Sequence, residues 1–272
     1  MDLFARAGYN IPEPSRGYFA SVDDEKMSVI LFRAQEMSRY VEDGILDAGL
    51  TGYDWVVENG SDVQEIAELV YSKQRHVPVR WVLAVPEESP VTKPADLAGG
   101  IVATELVNVT RQYFRDKGVE VKVEFSWGAT EAKARMLDAI VDVTETGGSL
   151  KANKLREIDT VLTSTTRLIA NKQAMHVKWK SRKIRNLALL LAGAIDARGK
   201  VGLKMNVPRA ALDKIVAILP AEKSPTVSAL AENDWVAVEV IVEEHVEREL
   251  VPRLKEAGAT GIITYPLKRV IS

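Results

Sequence analysis

Residues 139–150 read Ala-Ile-Val-Asp-Val-Thr-Glu-Thr-Gly-Gly-Ser-Leu. An apolar run leads into an acid, a Thr-Gly-Gly-Ser turn follows, and a helix is expected from Leu150. Strand, glycine turn and helix in this order are the unit from which α/β sheets are built. Glycines let consecutive backbone N–H groups point into the turn, and a helix start adds the positive end of its dipole. Thr146 and Ser149 supply hydroxyl donors, and Asp142 stands where a carboxylate can accept hydrogen bonds from sugar hydroxyls. Taken alone, the stretch is either a seat for a phosphate dianion or a plain glycine-rich turn with a helix cap. No Gly-Lys-Ser/Thr run occurs in the chain, which disfavours nucleotide hydrolysis of the P-loop type.

The same rhythm extends on both sides. Residues 28–33 form a short apolar run that reads as a buried strand. Residues 35–43 read as a helix with Met37, Tyr40 and Val41 on one face and Gly44 as its stop. A strand over 46–51, a helix over 53–59 ending before Gly60, and strands over 80–85 and 100–104 follow. In a helix over 106–117, Leu106, Val109, Tyr113 and Phe114 fall at core spacing. Val119, Val121, Val123 and Phe125 then alternate with Glu120, Lys122 and Glu124, the period of a half-buried strand. Strands over 138–144 and 160–170 complete the block, and a parallel sheet is expected.

Residues 173–198 read as mostly helical, and beyond them the order changes. A strand over 201–207 precedes a helix opened by Pro208, with Leu212, Ile215, Val216 and Leu219 inward. Strands over 226–230 and 235–242, a helix over 243–257 that Pro252 should kink, and a strand over 260–265 complete βαββαβ, the ferredoxin-like order. Three domains are therefore expected: residues 1–81 with 164–193, residues 82–163, and residues 194–272.

The chain has 272 residues, 46% hydrophobic and 27% charged, which is globular composition with room for more than one core. A net charge of -2 offers no basic excess for binding duplex nucleic acid. The absence of cysteine excludes disulfides, thiolate zinc sites and cysteine nucleophiles. His76, His176 and His245 lack metal-ligand spacing, so no metal site built from protein side chains is expected. The first residues lack the pattern of a secretory signal, and the longest apolar run, 187–195, is too short to cross a bilayer. A cytoplasmic protein without a membrane partner is the expectation.

Three stretches go further. Gly128-Ala129-Thr130-Glu131 precedes the run 138–150; Leu31-Phe32-Arg33 goes with Tyr40-Val41-Glu42-Asp43-Gly44 and with residues 46–54, Leu-Asp-Ala-Gly-Leu-Thr-Gly-Tyr-Asp; Ser224-Pro225-Thr226 goes with Asp234-Trp235-Val236-Ala237. Through them the chain resembles the ATP phosphoribosyltransferase family in its long form, from about Phe4 to the C-terminus. The resemblance implies a two-lobed α/β catalytic part of the type II periplasmic-binding kind, plus a ferredoxin-like regulatory domain. It implies transfer of phosphoribosyl from phosphoribosyl diphosphate to N1 of ATP, with loss of magnesium-bound pyrophosphate. That reaction opens histidine biosynthesis, and histidine inhibits it. By resemblance, phosphoribosyl diphosphate is held by Glu131, Asp142, Thr144, Glu145, Thr146, Gly147, Gly148, Ser149 and Leu150, with Glu131 and Asp142 at the ribose as the candidate catalytic pair. Arg16, Arg33, Thr51, Gly52 and Asp54 fall on the ATP side; in isolation Arg33 and Asp54 would read as a solvated ion pair. Asn206, Ser224 and Thr226 are the candidates for contacting histidine, although the family often carries an acid where Asn206 stands. Mg2+ and a homo-oligomer, dimer to hexamer, are implied as well.

The sequence departs from the family in two places. Family members begin with a strand and a Lys-Gly turn before the helix that ends near Gly8, whereas this sequence opens inside that helix. The expectation is an unpaired strand edge at 28–33 or 46–51, and lower stability and activity than a form extended upstream by about twenty residues. Glu131 and Asp138 also lie slightly closer in sequence than in the family. Three rivals remain. A prephenate-dehydratase-like enzyme finds a faint match in Thr165-Thr166-Arg167-Leu168 but leaves the glycine loop unexplained. The others are a non-enzymatic binding protein of periplasmic type and a catalytically impaired or regulatory homologue of the same family.

Overall fold

The computed structural model describes residues 2–12, 17–70, 77–220 and 225–271. By internal contact the chain divides into Pro12–Ala188 and a second unit formed by Leu189–Ser272 with Met1–Ile11. The elements begin with α1 (Asp2–Arg6), β1 (Phe19–Ala20), β2 (Val29–Ile30), α2 (Ala34–Glu42), β3 (Ala48–Gly52), α3 (Tyr53–Asn59) and β4 (Gln64–Leu69). They continue with β5 (Val79–Pro86), β6 (Ile101–Thr104), α4 (Val107–Asp116), β7 (Lys122–Phe125), α5 (Thr130–Lys133), β8 (Ala139–Thr144), α6 (Gly148–Ala152), β9 (Leu155–Ser164) and β10 (Thr166–Ala170). After α7 (Lys172–His176) and α8 (Lys178–Asp196) come β11 (Lys200–Pro208), α9 (Leu212–Ile218), β12 (Thr226–Ala229), β13 (Trp235–Glu243), α10 (Glu244–Glu256) and β14 (Thr260–Pro266).

The unit Pro12–Ala188 holds two main sheets, of order β3-β10-β4 and β7-β6-β8-β5-β9. The second is buried on both faces. Leu83 and Val85 pack with Val102, Leu106 and Phe114 on one side, while Val82 and Ala84 pack with Ile140, Leu150 and Leu155 on the other. That two-sided burial is why residues 81–85 read as an unbroken apolar run instead of an alternation.

The expected parallel sheet is only partly observed. β6 is parallel to β7 and β8, but β5 is antiparallel to β8 and β9, and β3-β10-β4 is antiparallel throughout. The cause lies in residues 155–170, which form two strands: the chain leaves one sheet as β9 and enters the other as β10, turning at Thr165. The sequence reading missed β4, a polar strand whose alternation is blurred by Glu65 and Glu68, both ion-paired to Arg167 across the sheet. Residues 28–33 are not a buried strand. Only Val29–Ile30 pairs, with β1, and Leu31, Phe32 and Arg33 are exposed. β3 is an edge strand of its sheet. β7 is shorter than the alternation suggested: Val123 is buried, but Phe125 emerges from the sheet edge and is half exposed.

In the second unit, β11, α9, β12, β13, α10 and β14 form a four-stranded antiparallel sheet of order β12-β13-β11-β14, the ferredoxin-like arrangement. Val201, Leu203, Met205 and Val207 point to the helices and meet Ile215, Leu250 and Leu254. Pro208 ends β11, and α9 starts at Leu212 after one tight turn. α10 runs through Pro252 without ending there.

Two buried acids on α3 join its sheet to the larger one. Asp54 Oδ2 accepts the Trp81 indole N–H at 2.7 Å, and Oδ1 accepts the Ser164 hydroxyl at 2.9 Å. One helical turn on, Glu58 receives the backbone N–H groups of Asn108 and Val109, both at 2.9 Å. It thereby caps α4, whose own N-cap side chain makes no capping bond. Removing either carboxylate orphans buried donors. Asp54→Ala and Glu58→Ala are each expected to cost about 2–4 kcal/mol in urea unfolding of the full chain, since a lost charged partner leaves desolvated groups unpaired; losses below about 0.5 kcal/mol, typical of surface substitutions, would refute the tie.

Candidate active site

Parallel strands β6, β7 and β8 end together at one edge of the larger sheet. Ligands of open α/β sheets bind outside such carboxyl ends. Thr104 is in register with Val141 and with Phe125, so Glu105 follows opposite Asp142 on one side and Ser126 on the other. The strand ends thus bring together Glu105, the segment 125–131 and the glycine loop.

Thr144 is buried, and its Oγ1 accepts the Gly147 N–H at 2.8 Å, closing the turn. Gly147 is left-handed, with φ 76, a conformation that favours glycine. A side chain there would meet nothing within 4 Å, so its cost is backbone strain and not a clash. α6 starts at Gly148, two residues earlier than the sequence reading, which leaves the N–H groups of Gly148 and Ser149 in a first turn with no intrahelical acceptor. Leu150 points the other way, into the core. Thr146 and Ser149 are exposed and Glu145 is half-buried. Across the loop, Ser149 Oγ donates to Glu131 Oε1 at 2.5 Å.

Asp142 is half-buried, and its Oδ1 accepts the Val143 N–H at 2.8 Å. Desolvation pushes its pKa up to about 6, the Val143 N–H pulls it down, and the nearby charges of Glu131 and Glu105 push it up. Three acids thus face one another without a cation among the causes of that shift. Asp142 and Glu131 are neighbours here, as the sequence reading expected; Glu105 was not in that reading, because its place opposite Asp142 depends on strand register.

The residues expected on the ATP side are more scattered in role. Arg16 lies outside the described residues. Arg33 is exposed just before α2, and Asp54 is buried against Trp81 and Ser164, so the solvated Arg33–Asp54 pair is not formed. The Thr51 hydroxyl is spent on the Ala34 carbonyl at 2.7 Å. Gly52 and Asp54 line a cavity of about 220 Å³ with Ala34, Trp55 and Thr165. A larger surface hollow of about 560 Å³, beside Lys172, His176 and Arg185, contains none of the candidate residues. In the second unit, Asn206 and Thr226 share the sheet face opposite the helices, with β13 between them; Ser224 lies outside the described residues.

Known proteins bear on this geometry. Residues 33–193 match the family model described as ATP phosphoribosyltransferase, and residues 197–269 match the HisG C-terminal domain. An ATP phosphoribosyltransferase of Pelodictyon phaeoclathratiforme is 58% identical over all of this chain and 92% of its own length. One from Thermodesulfovibrio yellowstonii is 54% identical over all of this chain and 93% of its own. Among solved structures, the ATP phosphoribosyl transferase (HisG:HisZ) complex from Thermotoga maritima superposes with a TM-score of 0.59 at 22% identity, over 70% of this chain and 90% of that one, a likeness of fold. With a two-lobed α/β part, a ferredoxin-like tail and matches along nearly its whole length, the chain belongs to the ATP phosphoribosyltransferase family.

Proposed function

We propose that this chain joins N1 of ATP to C1 of phosphoribosyl diphosphate, breaking the C1–oxygen bond so that pyrophosphate departs. The observation that carries the reading is the glycine loop joined to Glu131 through Ser149 beside a half-buried Asp142. On this reading Thr146, Gly147, Gly148 and Ser149 hold the 5′-phosphate, within a loop shaped by Thr144, Glu145 and Leu150. Glu131 and Asp142 accept the ribose hydroxyls. Catalysis then rests on position and on stabilising the leaving charge. Arg33, Gly52 and the cavity beside Asp54 fall to the nucleotide, with Thr51 supporting them and Arg16 as a further phosphate contact.

Mg2+ belongs to the same reading, arriving on the diphosphate of the substrate and balancing its charge. Among the described residues, no helix is long and apolar enough to cross a membrane. A cytoplasmic location, assembly into a homo-oligomer between dimer and hexamer, and the division at 81/82, 163/164 and 193/194 belong to the same reading.

The direct test is pyrophosphate release with both substrates and Mg2+. Turnover supports the reading; tight binding of both substrates without pyrophosphate would identify an impaired homologue instead. Gly147→Val forces a β-branched residue into the left-handed region and is expected to weaken phosphoribosyl diphosphate binding about tenfold or more in calorimetry.

Asp142 gives a test in pH. Its pKa in the fold, about 6, is above the ordinary 3.8, so the fold favours the protonated acid. The stability this group contributes is complete below about pH 4 and lost as pH rises through 6. Asp142→Asn should therefore stabilise the ligand-free protein at pH 7.5 by about 1–2 kcal/mol, after allowance for solvent screening, and by nothing at pH 4. The same variant should bind phosphoribosyl diphosphate more weakly at pH 7.5, with a smaller rise in affinity between pH 5 and 7 than the parent.

Histidine control rests on Asn206, Ser224 and Thr226 in the ferredoxin-like domain. Millimolar histidine is expected to raise the melting temperature and slow pyrophosphate release, and Thr226→Ala to blunt both; no thermal shift and no inhibition would remove this part of the reading.

A further inference from the structure

The end of β7 carries an apolar feature that none of the phosphoribosyl contacts uses. Trp127 is 92% exposed and Phe125 50% exposed, with their rings edge-to-face at 4.7 Å. An indole left in water is unfavourable, since its apolar area gains nothing from folding. The segment that presents it is nevertheless firmly built. Between the two rings Ser126 is fully buried, its N–H donating to the Thr104 carbonyl at 2.8 Å. The Ser126 hydroxyl is bonded to Thr130 Oγ1 at 2.8 Å and receives Lys133 Nζ at 2.7 Å. Ala129, despite its Cβ, is held left-handed at φ 50, a conformation that persists in a non-glycine residue only when its surroundings impose it. The aromatic pair stands on this backbone beside the strand ends that carry Glu105 and Asp142. Four residues after Trp127, the same segment reaches Glu131 and its bond to Ser149 of the glycine loop.

We propose that Trp127, braced by Phe125, is a stacking platform for the purine base of the nucleotide substrate. This rests on the reading of residues 142–150 as the phosphoribosyl seat. In that reaction N1 of a purine must meet C1 of a ribose whose hydroxyls face Asp142 and Glu131, so the base has to lie beside the acids. An open π surface at the edge of that site suits a flat base. It takes up the apolar face of the purine without engaging N1, which must keep its lone pair for C1.

The test is calorimetry on the full chain with ATP, tripolyphosphate and phosphoribosyl diphosphate, comparing the parent with Trp127→Ala and Trp127→Phe. Trp127→Ala is expected to weaken ATP binding about tenfold or more, and Trp127→Phe by less than about threefold. Affinities for tripolyphosphate and phosphoribosyl diphosphate are expected to stay within about twofold in both variants, because neither ligand offers a base to stack. Unchanged ATP affinity in Trp127→Ala, with phosphoribosyl diphosphate still bound, overturns the platform and leaves the seat intact. A parent protein that binds no phosphoribosyl diphosphate overturns both. If Trp127→Ala instead lowers the sedimenting mass while ATP affinity holds, the rings are covered by a second copy of the chain and the proposal fails.

Discussion

Two carboxylates one turn apart on α3 have to be answered by hydrogen bonds before the larger unit can close. A buried carboxylate without donors costs on the order of several kcal/mol, a large share of a domain's stability margin. Asp54 and Glu58 find their donors in the other sheet: the indole of Trp81 on β5, the hydroxyl of Ser164 at the end of β9, and the first N–H groups of α4. Satisfying them determines where α3 lies against both crossing strands. The Glu58 bonds reach further. α4 follows directly on Glu105 and Leu106 at the carboxyl end of β6, so capping α4 also anchors one wall of the candidate active site.

That wall shows the opposite electrostatic policy. Asp54 and Glu58 are each matched by donors, whereas Glu105, Glu131 and Asp142 face one another, and the Asp142 pKa is pushed up to about 6 by burial and by its neighbours' charge. A structure selected for stability alone would place a cation or an apolar residue there. Local conflict of this kind, in a fold otherwise consistent from pattern to packing, is where binding chemistry is found. Sugar hydroxyls are the partners that would relieve it, since each donates a hydrogen bond without asking the acids to part.

How much of this could be read in the sequence depends on distance along the chain. Elements with a strong local period were legible: α3 matched residue for residue, and α2, α4, β5, β8 and β13 fell within one or two positions. The glycine loop was legible too, because its strand, turn and helix are contiguous. What escaped depends on neighbours remote in sequence. The run 160–170 looks like one strand until two different sheets claim its halves, and the first half then extends back to Leu155. Glu58 looks like an ordinary solvent-facing acid, and only the arrival of α4 turns it into a cap. Asp54 was placed by its motif on a ligand's side, yet its oxygens are already bonded to Trp81 and Ser164, so its contribution to any ligand runs through the cavity wall it holds in shape. Phe125 obeyed the alternation on paper, but β7 is an edge strand and its last residue passes beyond the helix cover.

The exposed indole and the clustered acids present the same physical problem in two forms. The acids keep charge close to like charge, and Trp127 keeps apolar surface in water, yet Trp127 and Glu131 are held on one short segment that spends buried hydrogen bonds on its own shape, with Glu105 and Asp142 on the neighbouring strands. If each were incidental, nothing would require them to be neighbours. A nucleotide meeting a phosphorylated sugar offers a ribose rich in hydroxyls next to a flat base poor in them, and that pairing would resolve both conflicts in one binding event. The segment 125–131 would then have a single purpose: to keep the polar and apolar halves of that site at a constant separation, so that the base nitrogen and the anomeric carbon meet by geometry and not by chance.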